Sequence, residues 1–481
     1  MKKKRTKIVA TLGPSTDSPQ VLEKIINSGA EILRINLSHG TNSDHVKRIK
    51  LARKTATKNN KYIAIMLDLQ GPKIRIESFS GGSVYLEEGN IFILDKSIDP
   101  KKGSVNGVCV LYKNLTQDIS IGDTLLLNDG LIVIEVLKIN GTAIHCKIVQ
   151  GGLLSDRKGL NKSGGGLSVD AITEQDEKGI KLACSLEVDY IAVSFVKSEE
   201  DIIRVRELVK QNNGFAHIIA KIERTEAVEN IYKIIDFSDA IMVARGDLAV
   251  EVGYASMTAL QKKLIRLAKE HNKVSITATQ MFESMITNSS PTRAEVSDVA
   301  NAVMDGTDAV MLSAESAVGS YPEVAVSKMS EVIIGAEKHE SFKSLNDYRI
   351  NAIFENIDES IAMAAIYIAN HLNIKAIVSL TESGSTTLWM SRLRSEIPIL
   401  AFTRNLTTVR KVLLYRGVYP QFIDIVDNTD LNSMDQLISE TLMRENIASP
   451  GDLVLCTFGD LRGIPGRTNS IKILEVRNIE S

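Results

Sequence analysis

The chain has 481 residues, more than one hydrophobic core usually supports, so two or three domains are expected. Its hydrophobic content of 44% and charged content of 24% are ordinary for a globular protein. Because 57 basic and 59 acidic residues nearly cancel, the charge gives no indication of a nucleic-acid partner.

The start of the chain is basic but does not read as a signal peptide. The apolar segment that follows it, Ile8–Leu12, is too short for the hydrophobic part of such a peptide, and no later stretch has the length of a membrane span. Four cysteines are far apart and have no metal-binding spacing, as expected of reduced structural thiols. These features predict a cytoplasmic protein without a membrane partner. The cysteines are Cys109, Cys146, Cys184 and Cys456.

Eight short apolar runs recur along the chain and are typical of buried parallel strands. Most are separated by amphipathic helical patterns, such as the one formed by Leu260, Leu264 and Leu267. Alternating strands and helices predict an α/β fold with a parallel sheet, and eight units predict a closed TIM (β/α)8 barrel. The runs are Thr6–Leu12, Ile32–Leu37, Ile63–Leu69, Tyr190–Phe195, Ile218–Glu223, Ala240–Ala244, Val274–Ala278 and Ala309–Leu312.

An insertion interrupts the alternation after the third run. Between Asp68 and about Gly166 there are only short alternating segments, separated by turn sequences such as Asn-Asp-Gly and Asn-Gly. We therefore expect a small β-barrel domain at residues 70–166, placed as a lid over the barrel. The segments are Ser83–Leu86, Thr124–Leu127, Leu131–Val136 and Ala143–Ile148.

A second alternation of helices and strands begins after about Ser344. It predicts an open α/β domain at residues 345–481, which leaves residues 1–69 and 167–344 for the barrel. The predicted helices are Glu359–His371 and a second one reaching Arg394, and the predicted strands are Ala376–Leu380, Ile399–Phe402, Leu453–Phe458 and Ile471–Val476.

Polar side chains follow the apolar runs, at the end of the barrel where active sites form. Side chains alternate along a strand, so Lys221 and Glu223 point to the same side. Glu223 and Asp247 suit Mg²⁺, which takes few protein carboxylates and completes its shell with water and phosphate oxygens. Lys221 would then face a phosphoryl group. The residues at the run ends are Arg34, Asp68, Glu223, Asp247, Thr279 and Glu315.

Two alternatives remain open for these residues. Glu223 would form a structural ion network if it paired only with Lys221 or Arg224. Gly246 would let backbone N–H groups approach an anion at the start of a helix, or would serve only a tight turn.

Several longer tracts, in order along nearly the whole chain, resemble the pyruvate kinase family. The resemblance implies the family's barrel, inserted lid and C-terminal domain, and a homotetramer. It also implies Mg²⁺- or Mn²⁺-dependent transfer of the phosphoryl group of phosphoenolpyruvate to ADP, giving pyruvate and ATP as the last step of glycolysis. The tracts are Arg34–Gly40, Gln70–Arg75, Ala244–Leu248, Thr279–Met285 and Pro291–Glu295.

The resemblance assigns catalytic roles residue by residue. Glu223 and Asp247 would hold the metal, Lys221 would offset charge on the phosphoryl group in transfer, and Arg34 would bind that group. Gly246, Asp247 and Thr279 would hold the substrate carboxylate, and Ser313 and Glu315 would join Thr279 on a proton path. Nucleotide contacts would come from Asn36, Leu37, Ser38, His39, Arg75 and Lys158.

One departure from the family pattern concerns a monovalent cation. Many family members carry Glu where this chain has Lys73, and they need K⁺ bound by residues that match Asn36, Ser38, Asp68 and the carbonyl of Leu69. The Lys73 ammonium supplies one fixed positive charge where the anion is removed, which predicts little dependence on K⁺. The alternative is that Lys73 turns outward and K⁺ still binds.

A loop in the last domain resembles the place where many family members bind effector phosphates. Hydroxyls and a glycine before a helix make a phosphate nest, so an activating sugar phosphate or nucleotide monophosphate is expected, although a plain helix cap remains the alternative. The assigned residues are Ser383, Gly384, Ser385, Thr386 and Thr387, with Arg462 and Arg467 from a Gly-rich loop.

Two other functions use some of the same residues. A Mg²⁺-dependent barrel lyase acting on phosphoenolpyruvate or an α-keto acid would share the carboxylates and Lys221 but would not need Arg75 or Lys158. A non-catalytic metabolite sensor would use only the C-terminal phosphate site, and the retained active-site residues argue against it.

Overall fold

A computed structural model of the chain describes residues 4–339, 353–354, 356–393, 395–423, 431–459 and 468–477. Eight parallel strands close into a barrel in which each strand pairs with its neighbours along the chain, and the first pairs with the eighth. The predicted (β/α)8 barrel is confirmed. Its strands are Lys7–Thr11, Ile32–Asn36, Ala64–Asp68, Tyr190–Val193, His217–Ile222, Ala240–Ala244, Val274–Ala278 and Ala309–Leu312.

Helices cover the outside of the barrel. Several begin with a reciprocal cap, as where the Thr292 hydroxyl accepts from the Glu295 N–H and the Glu295 carboxylate accepts from the Thr292 N–H. The α-helices of this part are Pro19–Asn27, Asn42–Lys58, Glu174–Ser185, Glu199–Gln211, Thr225–Glu229, Ile231–Phe237, Arg245–Val252, Tyr254–Glu270, Arg293–Asp305, Ala314–Ala317 and Pro322–His339, and short 3₁₀ helices lie at Pro14–Thr16 and Glu283–Ile286.

Strand alternation divides the buried residues of the barrel between two cores. Ile8 packs outward in the cluster between strands and helices, whereas the next residue, Val9, lies in the cluster inside the barrel. The inner cluster continues into the C-terminal domain, where it includes Ile377 and Leu455. The bottom of the barrel and the C-terminal domain therefore share one apolar core.

The insertion after the third strand is β-rich, as predicted. Its strands form a six-stranded sheet and a two-stranded sheet around one apolar core, rather than a single closed barrel. The strands are Ser83–Leu86, Ile91–Asp95, Gly107–Val108, Thr124–Leu127, Ile132–Asn140, Ala143–Gln150, Gly152–Ser155 and Leu160–Lys162, with one helix at Leu115–Asp118.

The C-terminal domain is an open α/β sheet, as predicted. Four strands are parallel, and the last, Ser470–Glu475, runs antiparallel at one edge. In spatial order the strands are Val418–Phe422, Ile399–Thr403, Ile374–Leu380, Leu453–Phe458 and Ser470–Glu475, and the helices are Ile357–His371, Ser385–Arg392, Leu406–Val412 and Leu431–Arg444. In the part of the chain that the structure describes, no helix has both the length and the apolar character required to span a bilayer.

A buried ion pair joins this domain to the barrel. Arg392, at the end of the helix Ser385–Arg392, donates to both carboxylate oxygens of Asp308, and each residue is only 2% exposed. Asp308 also accepts from the Ser275 N–H at 2.9 Å, so the pair lies on the starts of the seventh and eighth strands. The ion pair fixes the helix Ser385–Arg392 of the C-terminal domain against the barrel.

Replacing Arg392 with methionine should lower the stability of the protein by about 3–5 kcal/mol, because Asp308 keeps its backbone hydrogen bonds but loses the cation that neutralises its buried charge. The midpoint of urea unfolding measures this change. The matched control is Lys328→Met, which removes an exposed pair with Glu331 and should leave the midpoint unchanged. A midpoint for Arg392→Met that equals the control would contradict the buried-pair assignment.

Candidate active site

A lysine at the mouth of the barrel contacts two buried carboxylates. The Nζ atom of Lys221 is 2.9 Å from Oε1 of Glu223 and 3.3 Å from Oδ1 of Asp68. It also donates to Oγ of Ser194 at 2.7 Å. Lys221 and Glu223 project to the same side of the chain, as strand alternation predicts.

Arg34 approaches the same carboxylate from the second strand. Its Nε donates to Oδ2 of Asp68 at 2.7 Å, and one terminal nitrogen donates to Oγ1 of Thr11 at 2.9 Å. Asp68 is 1% exposed, so it serves as a buried anchor for both cations. The side chains of Arg34 and Lys221 are thereby fixed at one end of the barrel.

Burial and charge act against each other at these groups. Burial alone would raise the pKa of Asp68, but the charges of Lys221 and Arg34 outweigh it and the pKa is lowered. Burial likewise opposes the charge on Lys221, but Asp68 and Glu223 raise its pKa. Lys221 is therefore a permanent positive charge at neutral pH, as a group that faces a phosphoryl transfer requires.

Glu223 and Asp247 follow neighbouring strands and lie close enough to repel each other. Burial raises the pKa of Glu223, and the negative charge of Asp247 raises it further against the opposing charge of Lys221. One oxygen of Glu223 accepts from the Phe195 N–H at 2.8 Å, which fixes the carboxylate. A cation between the two carboxylates would relieve their repulsion.

The donor set fits a divalent cation that relies on its substrate for further ligands. Two carboxylates are what Mg²⁺ takes from a protein when phosphate oxygens and water complete its octahedral shell. No group of three or more His, Cys, Asp or Glu side chains arranged to hold a metal occurs among the described residues, so a closed all-protein site is not found there. Glu223 and Asp247 are the residues that would hold the cation.

Thr279 lies just after the seventh strand in a strained backbone conformation. The φ angle of Thr279 is +67°, and that of Gln280 is +54°. A positive φ is rare for a β-branched residue such as Thr279, and strained backbone conformations of this kind cluster at functional sites. The Thr279 hydroxyl accepts from the Gly246 N–H at 2.8 Å, and Arg245 donates to the Thr279 carbonyl at 2.7 Å. The strain holds the hydroxyl beside the start of the helix Arg245–Val252, where an anion is favoured.

Glu315 lies one turn beyond the eighth strand. Its carboxylate accepts from the Ser313 N–H at 2.7 Å and from the Phe282 N–H at 3.1 Å. Burial raises the pKa of Glu315, which favours its protonated form more than in an exposed carboxyl group. The Glu315 carboxylate, a predicted member of the proton path, is thus held in place by backbone groups.

Three basic residues of the lid lie on neighbouring segments, and one of them reaches the barrel mouth. Arg75 pairs across a β-bridge with Gly159, the residue after Lys158. Lys73 lies beside the same glycine and donates through Nζ to Oδ1 of Asp247 at 3.0 Å. Arg75 and Lys158 therefore lie on neighbouring backbone segments of the lid, and Lys73 beside them contacts a carboxylate of the barrel.

The residues assigned to a K⁺ site converge through strand pairing, since Asn36 and Asp68 are register partners. Oδ1 of Asn36 accepts from the Ser38 N–H, and the Leu69 carbonyl accepts from the Ser194 hydroxyl. Lys73 points elsewhere: its ammonium contacts Asp247 and does not contact these oxygens. The remaining residues of the second-strand loop are Leu37, half-buried, and His39, exposed.

Two family models match the chain, one on either side of the join between the barrel and the C-terminal domain. Residues 3–326 match the model described as pyruvate kinase, barrel domain, and residues 359–474 match pyruvate kinase, alpha/beta domain. The chain belongs to the pyruvate kinase family. It is accordingly a phosphotransferase, and the barrel lyase is not favoured.

Relatives named pyruvate kinase match over nearly the whole length. The Buchnera aphidicola subsp. Schizaphis graminum protein is 51% identical over 98% of each chain. The Haemophilus influenzae protein is 48% identical, over 95% of this chain and 96% of the relative. Pyruvate kinase II of Salmonella typhimurium is 46% identical, over 98% of this chain and 99% of the relative.

The loop of the C-terminal domain that was predicted to bind an effector lies at the start of the helix Ser385–Arg392. Gly384 has a φ of +81°, and its N–H donates to the Thr381 hydroxyl at 2.9 Å. The buried hydroxyls of Thr386 and Thr387 already bind Thr468 and the Gly384 carbonyl, whereas Ser383 and Ser385 are half-buried. Arg462 and Arg467 lie outside the described residues.

Three residues that the sequence interpretation did not assign contact members of the candidate site. Ser194 accepts from Lys221, Thr11 accepts from Arg34, and Arg245 fixes the strained backbone at Thr279. Ser194 and Thr11 fall at the ends of the fourth and first apolar runs. The rule that selected Asp68 and Glu223, polar residues at strand ends, would have found both.

Proposed function

We propose that the chain transfers the phosphoryl group of phosphoenolpyruvate to ADP, giving pyruvate and ATP, with Mg²⁺ or Mn²⁺. The observation that carries this proposal is the Lys221 ammonium, held between Glu223, Asp68 and Ser194 beside the Arg34 guanidinium. During transfer, negative charge is spread over the oxygens of the phosphoryl group. Two fixed cations at one barrel mouth are suited to stabilise that charge.

Each side chain has a distinct task in this scheme. Arg34 binds the phosphoryl group, and Lys221 offsets its charge as it moves. A divalent cation on Glu223 and Asp247, when bound, neutralises negative charge on the phosphate oxygens. The fixed positions of these groups mean that little reorganisation is needed at the moment of transfer.

Binding of the substrate carboxylate and protonation of the enolpyruvate are both proposed to involve Thr279. The backbone groups of Gly246 and Asp247 lie at a helix start beside the Thr279 hydroxyl, and together with Thr279 they would hold the substrate carboxylate there. Thr279 is also placed to pass a proton to the enolpyruvate through water, with Ser313 and Glu315 behind it. Asn36, Leu37, Ser38, His39, Arg75 and Lys158 are proposed to contact the nucleotide.

A coupled assay of pyruvate formation tests the function. With phosphoenolpyruvate and Mg²⁺ present, pyruvate should form only after ADP is added. Pyruvate formed at the same rate without ADP would support a barrel lyase, and no turnover under saturating Mg²⁺, ADP and a candidate activator would support a metabolite sensor.

Turnover should depend little on K⁺, because Lys73 provides a fixed positive charge next to the catalytic carboxylates. We expect most of the activity to remain when tetramethylammonium replaces K⁺. The matched variant Lys73→Glu should be several-fold more active with K⁺ than without it. Collapse of the wild-type rate without K⁺ would show that the ion still binds near Asn36, Ser38, Asp68 and Leu69.

Activation by a sugar phosphate or nucleotide monophosphate is proposed at the loop Ser383–Thr387 with Arg462 and Arg467. Ser385→Glu should abolish activation by glucose 6-phosphate or ribose 5-phosphate while sparing basal turnover, because a carboxylate repels the phosphate at the helix start. Initial rates with and without each compound measure the effect. Undiminished activation in the variant would show that the effector does not bind at this loop.

The assembly and domain limits are proposals of the same kind. A homotetramer is expected from family membership, and sedimentation would measure it. The domain limits proposed here are residues 1–69 with 167–344, 70–166 and 345–481.

A further inference from the structure

Glu223, one of the two carboxylates proposed to hold the cation, is followed by a residue that contacts the lid. Arg224 has an extended backbone, with φ −127° and ψ 154°, so it continues the alternation of the fifth barrel strand. Glu223 pairs with Lys221 in the site, whereas Arg224 pairs with Glu226. The two neighbouring residues therefore contact different parts of the molecule.

The Arg224 guanidinium holds a carboxylate and a lid carbonyl at the same time. Its Nε and Nη2 atoms donate to the two oxygens of Glu226 at 3.2 and 2.9 Å, and Nη2 also donates to the Leu167 carbonyl at 2.8 Å. Arg224 is 3% exposed. A bidentate pair of this kind is stronger than a hydrogen bond between neutral groups, and its burial reduces screening by salt.

The Glu226 carboxylate binds the lid as well. Its Oε1 accepts from the Gly166 N–H at 2.7 Å. Burial alone would raise the pKa of Glu226, but the Arg224 guanidinium and the Gly166 N–H outweigh it and the pKa is lowered, so the pair is ionic at neutral pH. A side chain on Gly165, where φ is +79°, would place its Cβ 2.9 Å from Oε2 of Glu226, so this close approach requires glycine.

The segment that these two side chains hold is part of the lid itself. Leu167 is 6% exposed and packs in the apolar core of the lid. The Ser168 N–H and hydroxyl both donate to the carboxylate of Asp118, in the lid helix Leu115–Asp118, at 2.8 and 3.1 Å. Arg224 is thus bonded directly to a residue of the lid core. We call Arg224 and Glu226 the lid clasp.

The lid also meets the barrel beside the second carboxylate. Lys73 contacts Asp247 at 3.0 Å, and the Gly164 N–H donates to the Glu251 carbonyl at 3.2 Å, in the same helix as Asp247. Each of the two carboxylates proposed to hold the cation therefore has a lid contact at it or next to it. Two separate contacts restrain the orientation of the lid, whereas one contact would leave it free to rotate.

We propose that the lid clasp positions the nucleotide side of the active site. Arg224 and Glu226 hold the lid against the end of the strand that leads to Glu223, and so set the distance from Arg75 and Lys158 to the phosphoryl group. Both clasp residues act through the lid, as positioning residues. Their effect on turnover rests on the proposed function, whereas their effect on the lid does not.

Amide hydrogen exchange of the full-length protein tests the clasp without substrates. Arg224→Met removes the guanidinium, so peptides that cover residues 164–168 should exchange at least about tenfold faster, because a contact that holds their backbone is lost. Peptides of the strand His217–Ile222 should exchange as in wild type. The matched control is Arg204→Met, which removes an exposed pair with Glu177 and should change neither set of peptides.

Steady-state kinetics distinguish an effect on the lid from an effect on the metal site. A misplacement of about 1 Å costs up to about 100-fold in rate, so Arg224→Met should lower kcat/KM for ADP about 10–100-fold. The affinity for Mn²⁺, measured by electron paramagnetic resonance, and the KM for phosphoenolpyruvate should change less than about threefold, because Glu223, Asp247 and Arg34 keep their contacts.

Two further variants separate the charge of the clasp from its geometry. Arg224→Lys keeps the charge but cannot bind the Leu167 carbonyl and both Glu226 oxygens with the geometry of a guanidinium. Its exchange rate and its kcat/KM for ADP should lie between those of wild type and Arg224→Met, and it replaces Arg224→Met if that variant melts early. Glu226→Gln, added to Arg224→Met, should increase the loss less than about twofold, because the two side chains act as a unit.

Three results would overturn the lid clasp. The first is a folded Arg224→Met variant whose exchange at residues 164–168 equals that of wild type. The second is faster exchange there with an unchanged kcat/KM for ADP, which would mean that the clasp does not place the nucleotide residues. The third is a parallel loss of Mn²⁺ affinity, which would show that Arg224 acts on Glu223 directly. If wild type itself forms no pyruvate with ADP, the proposed function fails, and ADP affinity in calorimetry replaces kcat/KM in deciding on the clasp.

Discussion

Lys221→Met is expected to lower kcat about 1,000-fold, with a smaller change in the KM for phosphoenolpyruvate. The variant removes the ammonium that contacts both Glu223 and Asp68 while keeping an apolar side chain of similar length. Loss of a single preorganised group at a developing charge typically costs 10²–10³ in kcat, and here a full charge is lost. Steady-state rates in the pyruvate-coupled assay measure the effect.

The control must show that the variant still folds, because Glu223 and Asp68 are buried and lose a partner. Arg34 remains on Asp68, so we expect an intact near-UV circular dichroism spectrum with a lower unfolding midpoint. Lys221→Arg keeps the charge and should recover part of kcat. If a folded Lys221→Met variant has a kcat within tenfold of wild type, Lys221 does not stabilise the phosphoryl group during transfer.

Asp247→Asn is expected to weaken Mn²⁺ binding at least about 100-fold. Replacing a residue that only hydrogen-bonds to a metal ligand typically weakens metal binding about 10–100-fold. Asp247 is itself one of only two carboxylates proposed to hold the cation. The substitution also removes the carboxylate charge that Lys73 contacts at 3.0 Å, so the positive charge beside the site is less well neutralised and opposes the cation further. Electron paramagnetic resonance of free Mn²⁺ gives the affinity without requiring turnover.

Asp129→Asn is the matched control for that experiment. Asp129 is the other carboxylate near Lys73, at 3.8 Å, and its side chain is 66% exposed. Because it lies on the lid and is not proposed to bind metal, its loss should change Mn²⁺ affinity less than threefold. Equal affinities for wild type and Asp247→Asn would place the cation elsewhere.

The barrel was predictable because its strands are buried on both faces. Ala240–Ala244, Val274–Ala278 and Ala309–Leu312 begin and end at the predicted residues. The first and last of these strands are unbroken apolar runs, and in Val274–Ala278 only the small hydroxyl residues Ser275 and Thr277 interrupt the run. The parallel topology then brings the strand ends together without further information. This is why Lys221 and Glu223 could be placed at one mouth from the sequence alone.

Shorter and half-exposed strands were missed for a physical reason. The strand Ile91–Asp95 is apolar up to its last residue, yet Ile91 is 45% exposed and Phe92 is buried, so its composition does not show which face is covered. Val418–Phe422 contains a proline, which reads against a strand and is tolerated because this strand lies at the sheet edge. Local sequence does not reveal a position at the edge of a sheet.

Contacts between distant segments were equally hidden. Lys73 was expected to act near the K⁺ ligands or to turn outward, but its partner is Asp247, 174 residues away. The positive φ of Thr279 also follows from tertiary contacts, since Arg245 and Gly246 hold it. Sequence identified these residues as functional, whereas their partners required the fold.

Phosphorus NMR of the reaction mixture tests the central claim most directly. With phosphoenolpyruvate, ADP and Mg²⁺, the phosphoenolpyruvate signal should fall as the γ-phosphate signal of ATP rises in equal amount, and pyruvate should accumulate to the same extent. Inorganic phosphate rising in place of ATP, or unchanged phosphoenolpyruvate in a folded and metal-loaded sample, would contradict phosphoryl transfer to ADP.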